Sequence, residues 1–341
     1  MAGLSDLFGF LFGSTDKDDP DNEIVRTAVE AIVDQVEPRV RLDPAYERRL
    51  AKGVRHTLAY LRGFRDGLPQ DLLVMARAQW VKDPRLNAFF ARADDVPALI
   101  GKSRELRALF QGAPPEVTEA TAMLGMKLVE KQIFAPKLVG SELRHDVAQT
   151  SVSFTMHRLF GPGLTLRDTR MEVGKRLFLR LAQVALKRIL EADNRAADLS
   201  QRKGYLATRL RLLNLARDGI EGIVDDPATL AEQIRSVEVE LKGTVDEYIE
   251  VKSSIATLDR YIDQINDVMD HPEQHLKLVQ RPLRVNRMGI KVEPGEDPQA
   301  NELVLDELQF ADLAVIVANV RIPRDEMPPP EDLVAKAERY L

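Results

Sequence analysis

The sequence predicts an α+β protein that is mainly α. It should have an N-terminal helical domain, a small mainly antiparallel sheet, and a long antiparallel coiled-coil hairpin projecting from the sheet. Three observations predict this class. Apolar residues between Leu230 and Met269 recur at a mean step close to 3.5, the repeat of a left-handed coiled coil. The period changes to two on either side of that region, which is the mark of half-buried strands. Aromatic residues make up only 6% of the chain and charged residues 30%, a composition suited to helices with long solvated faces.

Taken in order, residues 1–21 form an apolar N-terminal segment followed by an acidic linker. Residues 14–22, Ser-Thr-Asp-Lys-Asp-Asp-Pro-Asp-Asn, end in helix-capping residue types. Residues 22–130 read as a helical domain, with helices near 23–36, 44–66, 69–81 and 103–111. Asp43-Pro44 supplies a cap and a first-turn proline. Pro114-Pro115-Glu116 reads as the start of another helix running to about residue 130.

The β-rich base is expected from 131–165 together with 272–326. Val152, Phe154 and Met156 alternate with Ser151, Ser153 and Thr155, so one face is apolar and the other polar. Gln132 to Val139 reads as a companion strand. Later strands are expected around Leu283–Val285, Met288–Val292, Glu302–Phe310 and Leu313–Ile322. Residues 166–271 form the hairpin. Leu199, Leu206, Leu213 and Ile220 recur every seven residues, and Asp225-Asp226-Pro227 supplies a stop and a new start. Its tip is expected near residue 226, and its 228–270 arm should reach about 60 Å at 1.5 Å per residue. Residues 327–341 are a proline spacer and a C-terminal helix.

Several function classes drop out on chemistry. There is no cysteine, so no disulfide framework, thiol nucleophile or thiolate metal site can form. No apolar run approaches the length that spans a bilayer, and the N-terminus lacks the basic start of a secretory signal. The expected location is cytoplasmic, or peripheral at a membrane. Gly101-Lys102-Ser103 ends like a phosphate-binding loop, but Val96 stands where that loop needs glycine. His271 and His275 are four apart with proline between them, which interrupts the helix that a shared metal face requires. His145, Asp146, His157, Ser151 and Ser153 lie near one strand but lack the tight elbow that exposes a nucleophilic serine. No catalytic residue, metal site or cofactor is predicted.

The net charge of −6 conceals a basic middle between acidic ends. Residues 151–217 hold 14 basic and 5 acidic residues, which favours attraction within the chain, between copies, or to an anionic partner. Arg176, Arg180 and Lys187 share a helical face and are the candidates for an anionic surface. Nucleic acid is not expected as a partner, because no aromatics interleave the basic residues for base stacking.

Leu4, Leu7, Phe8 and Leu11 share one helical face and are the candidates for lipid contact. This Leu-Phe-Gly start resembles those of membrane-remodelling helical proteins of the ESCRT-III type over about ten residues. Asp6 is the only charge in the first fifteen residues, whereas those proteins have a cationic N-terminal region and begin their hairpin at once.

The leading expectation is a non-enzymatic interaction protein. Its helical arm would pair with another copy or with another protein through the seam residues Ile255, Leu258, Ile262 and Ile265. The alternatives are a peripheral membrane assembly protein using residues 1–12 and the basic helix, or a nucleic-acid-binding or enzymatic effector whose site is scattered in sequence.

Overall fold

A computed structural model of the chain describes residues 22–68, 70–139, 142–218, 227–255, 257–310 and 313–329. Its helices in chain order are α1 (Asn22–Val36), α2 (Tyr46–Gly67), α3 (Pro84–Phe89), α4 (Asp95–Lys102), α5 (Arg104–Gly112), α6 (Leu166–Asp218), α7 (Pro227–Ile255), α8 (Leu258–Asp270) and α9 (Pro272–His275). The strands are β1 (Leu73–Val74), β2 (Glu119–Val139), β3 (Glu142–Gly163), β4 (Leu276–Val285), β5 (Asn301–Phe310) and β6 (Leu313–Pro323). The protein is therefore a mixed helix-and-sheet molecule with an antiparallel sheet and one helix of about 50 residues.

The chain divides into two compact units. One holds Thr57–Phe178 and the described residues from His271 onward; the other holds Val25–His56 and Leu179–Asp270. The division cuts through the segment 22–130. Its first helix and the start of its second group with the long helical region, and its later helices group with the sheet.

In the first unit the strand order is β3-β2-β6-β5-β4, with β1 parallel on β6. Neighbours along that path are antiparallel. β2 pairs with β6 only from Glu119 to Met126; beyond that, Lys127–Val139 pairs with β3 alone. The two outermost strands are linked by the turn after β4. Val152 N–H donates to the Gly289 carbonyl at 2.7 Å, Lys291 N–H to Thr150 O at 2.8 Å, and Val292 N–H to Arg284 O at 3.1 Å. One face of the sheet packs with α3, α4 and α5 in a single apolar core that includes Leu86, Ile100, Leu106, Leu124 and Val320.

Two sequence expectations are corrected here. Residues 119–130 are strand, not helix. Ala, Met, Leu, Glu and Lys dominate this stretch and favour helix in isolation. A ladder on each side of Ala120–Met126 outweighs that preference, and every residue from Ala120 to Met126 is buried. Of the helix expected over 69–81, the described residues 70–81 are likewise not a helix. Met75 N–H donates to Arg321 O at 2.8 Å, which ties the segment to β6, and only a short 3-10 turn follows at Arg77–Gln79. The strands expected near 147–160, 302–310 and 313–322 are present as β3, β5 and β6.

The entry into α6 is tightly specified. Thr165 N–H and Oγ1–H both donate to Asp168 Oδ2, at 3.0 and 2.7 Å, and Asp168 N–H donates back to Thr165 Oγ1 at 3.2 Å. This is a reciprocal capping arrangement. Thr169, fully buried, shares a 2.7 Å hydrogen bond between its hydroxyl and that of Thr121 on β2.

In the second unit, the apolar run that the sequence reads as one arm over 228–270 lies on two helices. α7 ends at Ile255 and α8 restarts at Leu258. Thr257 stands between them, and a threonine side chain competes for backbone hydrogen bonds and weakens a continuous helix. The expected tip near residue 226 lies outside the described residues.

Candidate functional site

Composition separates the long helices. α6 carries 13 basic and 6 acidic residues, whereas α7 and α8 together carry 4 basic and 10 acidic. Opposite charge on facing helices favours their pairing, and the ion pairs follow that rule. Arg188 pairs with Asp267, Arg195 with Glu247, and Arg202 with Glu240 at 2.7 Å. Lys203 Nζ sits 4.3 Å from the centre of the Tyr248 ring. Hydrogen bonding to Glu247 raises the pKa of Arg195, and hydrogen bonding to Glu240 raises that of Arg202. Arg188, Arg195 and Arg202 stand seven residues apart, as do Glu240 and Glu247. That spacing is the sequence signal that picks out these pairs.

The apolar residues of the repeat are largely buried. Leu199 and Leu206 on α6 are buried, as are Leu230, Ile234 and Val237 on α7. Of the predicted seam, Ile262 and Ile265 are fully buried within this single chain. Leu258 is half-buried, and the side chain of Ile255 lies outside the described residues. α8 is held by Asn266 Nδ2, which donates to Arg49 O at 3.2 Å, and by Arg49 paired with Asp259. A Cβ at Gly53 would stand 3.1 Å from Met269 Cβ, so α2 and α8 approach closely there.

Other apolar side chains of these helices face solvent. Tyr205, Leu212 and Leu215 on α6 are 64%, 61% and 63% exposed, and Val239 and Ile249 on α7 are 69% and 57% exposed.

The predicted anionic-surface residues are engaged locally. Arg176 pairs with Glu105 at 2.8 Å and with Glu172 at 3.4 Å. Arg180 donates to Gln183 Oε1 at 3.4 Å, and Lys187 lies 3.9 Å from Glu191. Leu4, Leu7, Phe8 and Leu11 fall outside the described residues. Among the described residues no helix is long and apolar enough to cross a membrane, and no group of three metal-ligating side chains is found.

The histidines near β3 do not converge. His145 and His157 stand twelve residues apart on one strand, or about 40 Å at 3.3 Å per residue. His157 donates Nε2–H to Phe89 O at 2.8 Å and stacks on Phe90 with ring centres 4.7 Å apart. Burial holds its pKa below the ordinary 6.5, against the hydrogen bond to Phe89, which favours the charged ring. A depressed folded-state pKa means that this stabilisation is complete above about pH 6.5 and is lost as pH falls toward the folded value. His157→Gln should therefore lose less stability than the parent chain between about pH 7 and 5, read as urea midpoints. Equal losses in the two proteins would refute the assignment. Gly101-Lys102 closes α4 rather than opening a helix, and Ser103 caps α5 through Leu106 N–H at 3.3 Å. The phosphate-loop geometry is thus absent at that position.

The class that the fold defines is a helix-and-sheet protein with a charge-matched pair of long helices. No protein-family model, curated protein or solved structure matches the chain.

Proposed function

We propose that the chain is a non-enzymatic, self-assembling interaction protein whose contact element is an antiparallel hairpin of α6 and α7. Antiparallel pairing is supported by the order of the ion pairs. As the arginine number rises through 188, 195 and 202, the acidic partner falls through 267, 247 and 240. The buried residues of the repeat supply the inner seam, so recognition falls to the outer face.

The observation that carries the reading is the exposed row on α6. Tyr205, Leu212 and Leu215 are each more than half exposed, and steps of seven and three keep them on one helical face. Single exposed apolar residues are ordinary on protein surfaces. A heptad-spaced row is the pattern that helices use to associate. A second copy presents the same row, and a twofold interface is self-complementary.

Sedimentation velocity of the full chain should show concentration-dependent assembly. The double variant Leu212→Glu/Leu215→Glu should shift it to monomer with an unchanged circular dichroism spectrum. A parent chain that stays monomeric at every concentration would overturn the proposal.

A further inference from the structure

The first unit contains a pocket unrelated to the helical pair. It has a volume of about 330 Å³, within the range of small-ligand sites. Four stretches close in space but distant in sequence build it: the end of α3, the middle of β3, the turn after β4, and the start of β5. Trp80, the only tryptophan of the chain, completes the wall.

The apolar wall is preorganised. Trp80 Nε1–H donates to Phe90 O at 2.8 Å, which anchors the indole. Phe89 and Phe154 meet edge to face with ring centres 4.9 Å apart, and both rings are buried. The turn is equally fixed. Asn286 Oδ1 accepts from Met288 N–H at 2.9 Å and from Ile290 N–H at 3.0 Å. Gly289 has φ +72°, and a Cβ there would lie 3.1 Å from Val152 O, so glycine suits both the conformation and the close approach. Met288, next to it, is 80% exposed although it is large and apolar.

The polar part of the lining has a clear bias. Its polar residues are Asn87, Asn286, Asn301, Ser153 and Arg287, and no carboxylate side chain is among them. Arg287 makes no ion pair among the described residues. A flat aromatic wall favours an aromatic body, and an exposed arginine among the lining residues favours a carboxylate, which its guanidinium can grip in a fork.

We propose that this pocket binds a small aryl carboxylate, with the ring against Trp80 and Phe154 and the carboxylate at Arg287. The probe is 3-phenylpropanoate, compared with 3-phenylpropanol, which has a similar body without the charge. The readout is the single indole N–H resonance of the full chain, which reports on this pocket because Trp80 is the only tryptophan. The carboxylate should shift that resonance saturably and bind about ten-fold more tightly than the alcohol, in line with a charge-assisted hydrogen bond. Arg287→Gln, at an exposed position, should erase the ten-fold preference and leave alcohol binding unchanged. A parent protein with no saturable shift at millimolar probe would overturn the proposal. So would equal affinity for acid and alcohol, or an Arg287→Gln protein that keeps the preference.

Discussion

Alanine at Ile262 or Ile265 is expected to lower the unfolding free energy by about 2–5 kcal/mol each, the range for truncating a buried aliphatic side chain and leaving a cavity. Both residues are fully buried in the single chain. They sit on α8, whose position is set by the Asn266–Arg49 hydrogen bond and by the close approach of Gly53 to Met269, so the surroundings cannot readily collapse into the gap. Leu258→Ala should cost much less, because Leu258 is only half-buried. Urea denaturation followed by circular dichroism gives the ranking. The experiment also separates two roles for this stripe. A side chain that stabilises the folded monomer lowers the urea midpoint. One that serves only an intermolecular contact changes sedimentation and leaves the midpoint in place. If Ile262→Ala alters assembly without altering stability, its role in the chain's own core is refuted.

Gly163→Ala should destabilise the chain by roughly 1–3 kcal/mol through overpacking, with about 1 kcal/mol more if the helix cap is displaced. An added Cβ would stand 2.6 Å from Asp168 Cβ and 2.8 Å from Thr169 N. The second of these is backbone and has no rotamer by which to move away. It belongs to a residue whose hydroxyl is already hydrogen-bonded to Thr121, which in turn donates to Gly163 O at 3.2 Å. Relief therefore requires α6 to shift against the end of β3, opening the reciprocal bonds between Thr165 and Asp168. The control is the same substitution at Gly243, inside α7, where nothing lies within 4 Å of the new methyl group. There alanine should raise stability by about 0.5–1 kcal/mol, from helix propensity alone. Thermal melts of the two variants should move in opposite directions. A matching sign would show that close packing at the strand-to-helix junction is not what requires glycine at 163.

Particular residues show how much of this was legible beforehand. The repeat through Leu199, Leu206, Leu230, Ile234 and Val237 reads correctly because a helix buries whatever falls on one stripe, and all five are buried. β3 and β5 read correctly because period-two alternation is also a local property, and β6 because a short apolar run rich in β-branched residues is one too. β2 does not, since its Ala-, Met- and Lys-rich sequence has helical preferences and becomes strand only between β3 and β6. The ion pairs were half legible. The basic residues singled out, Arg176, Arg180 and Lys187, share a face, yet the cross-helix pairs fall to Arg188, Arg195 and Arg202. Finding those requires reading the seven-residue spacing together with the acidic row of another helix. The aromatic pocket was not legible at all. Its lining residues come from positions 80, 87–91, 152–154, 285–289 and 301, and no local pattern links them.

The sequence by itself determined the elements whose signal lies within a few turns or a few alternations: the long helices, much of their apolar stripes and most strands. It also determined what chemistry is missing, since thiol chemistry needs a cysteine. Only the tertiary structure decided that the first helix and the start of the second group with the 179–270 region, that residues 119–126 are strand, and that Trp80 faces a pocket closed by the 285–289 turn. The physical reason is range. Periodicity and capping act between residues a few positions apart, whereas burial, sheet pairing and cavity shape depend on which distant surfaces meet. That choice is made by the summed apolar and hydrogen-bonding complementarity of whole faces.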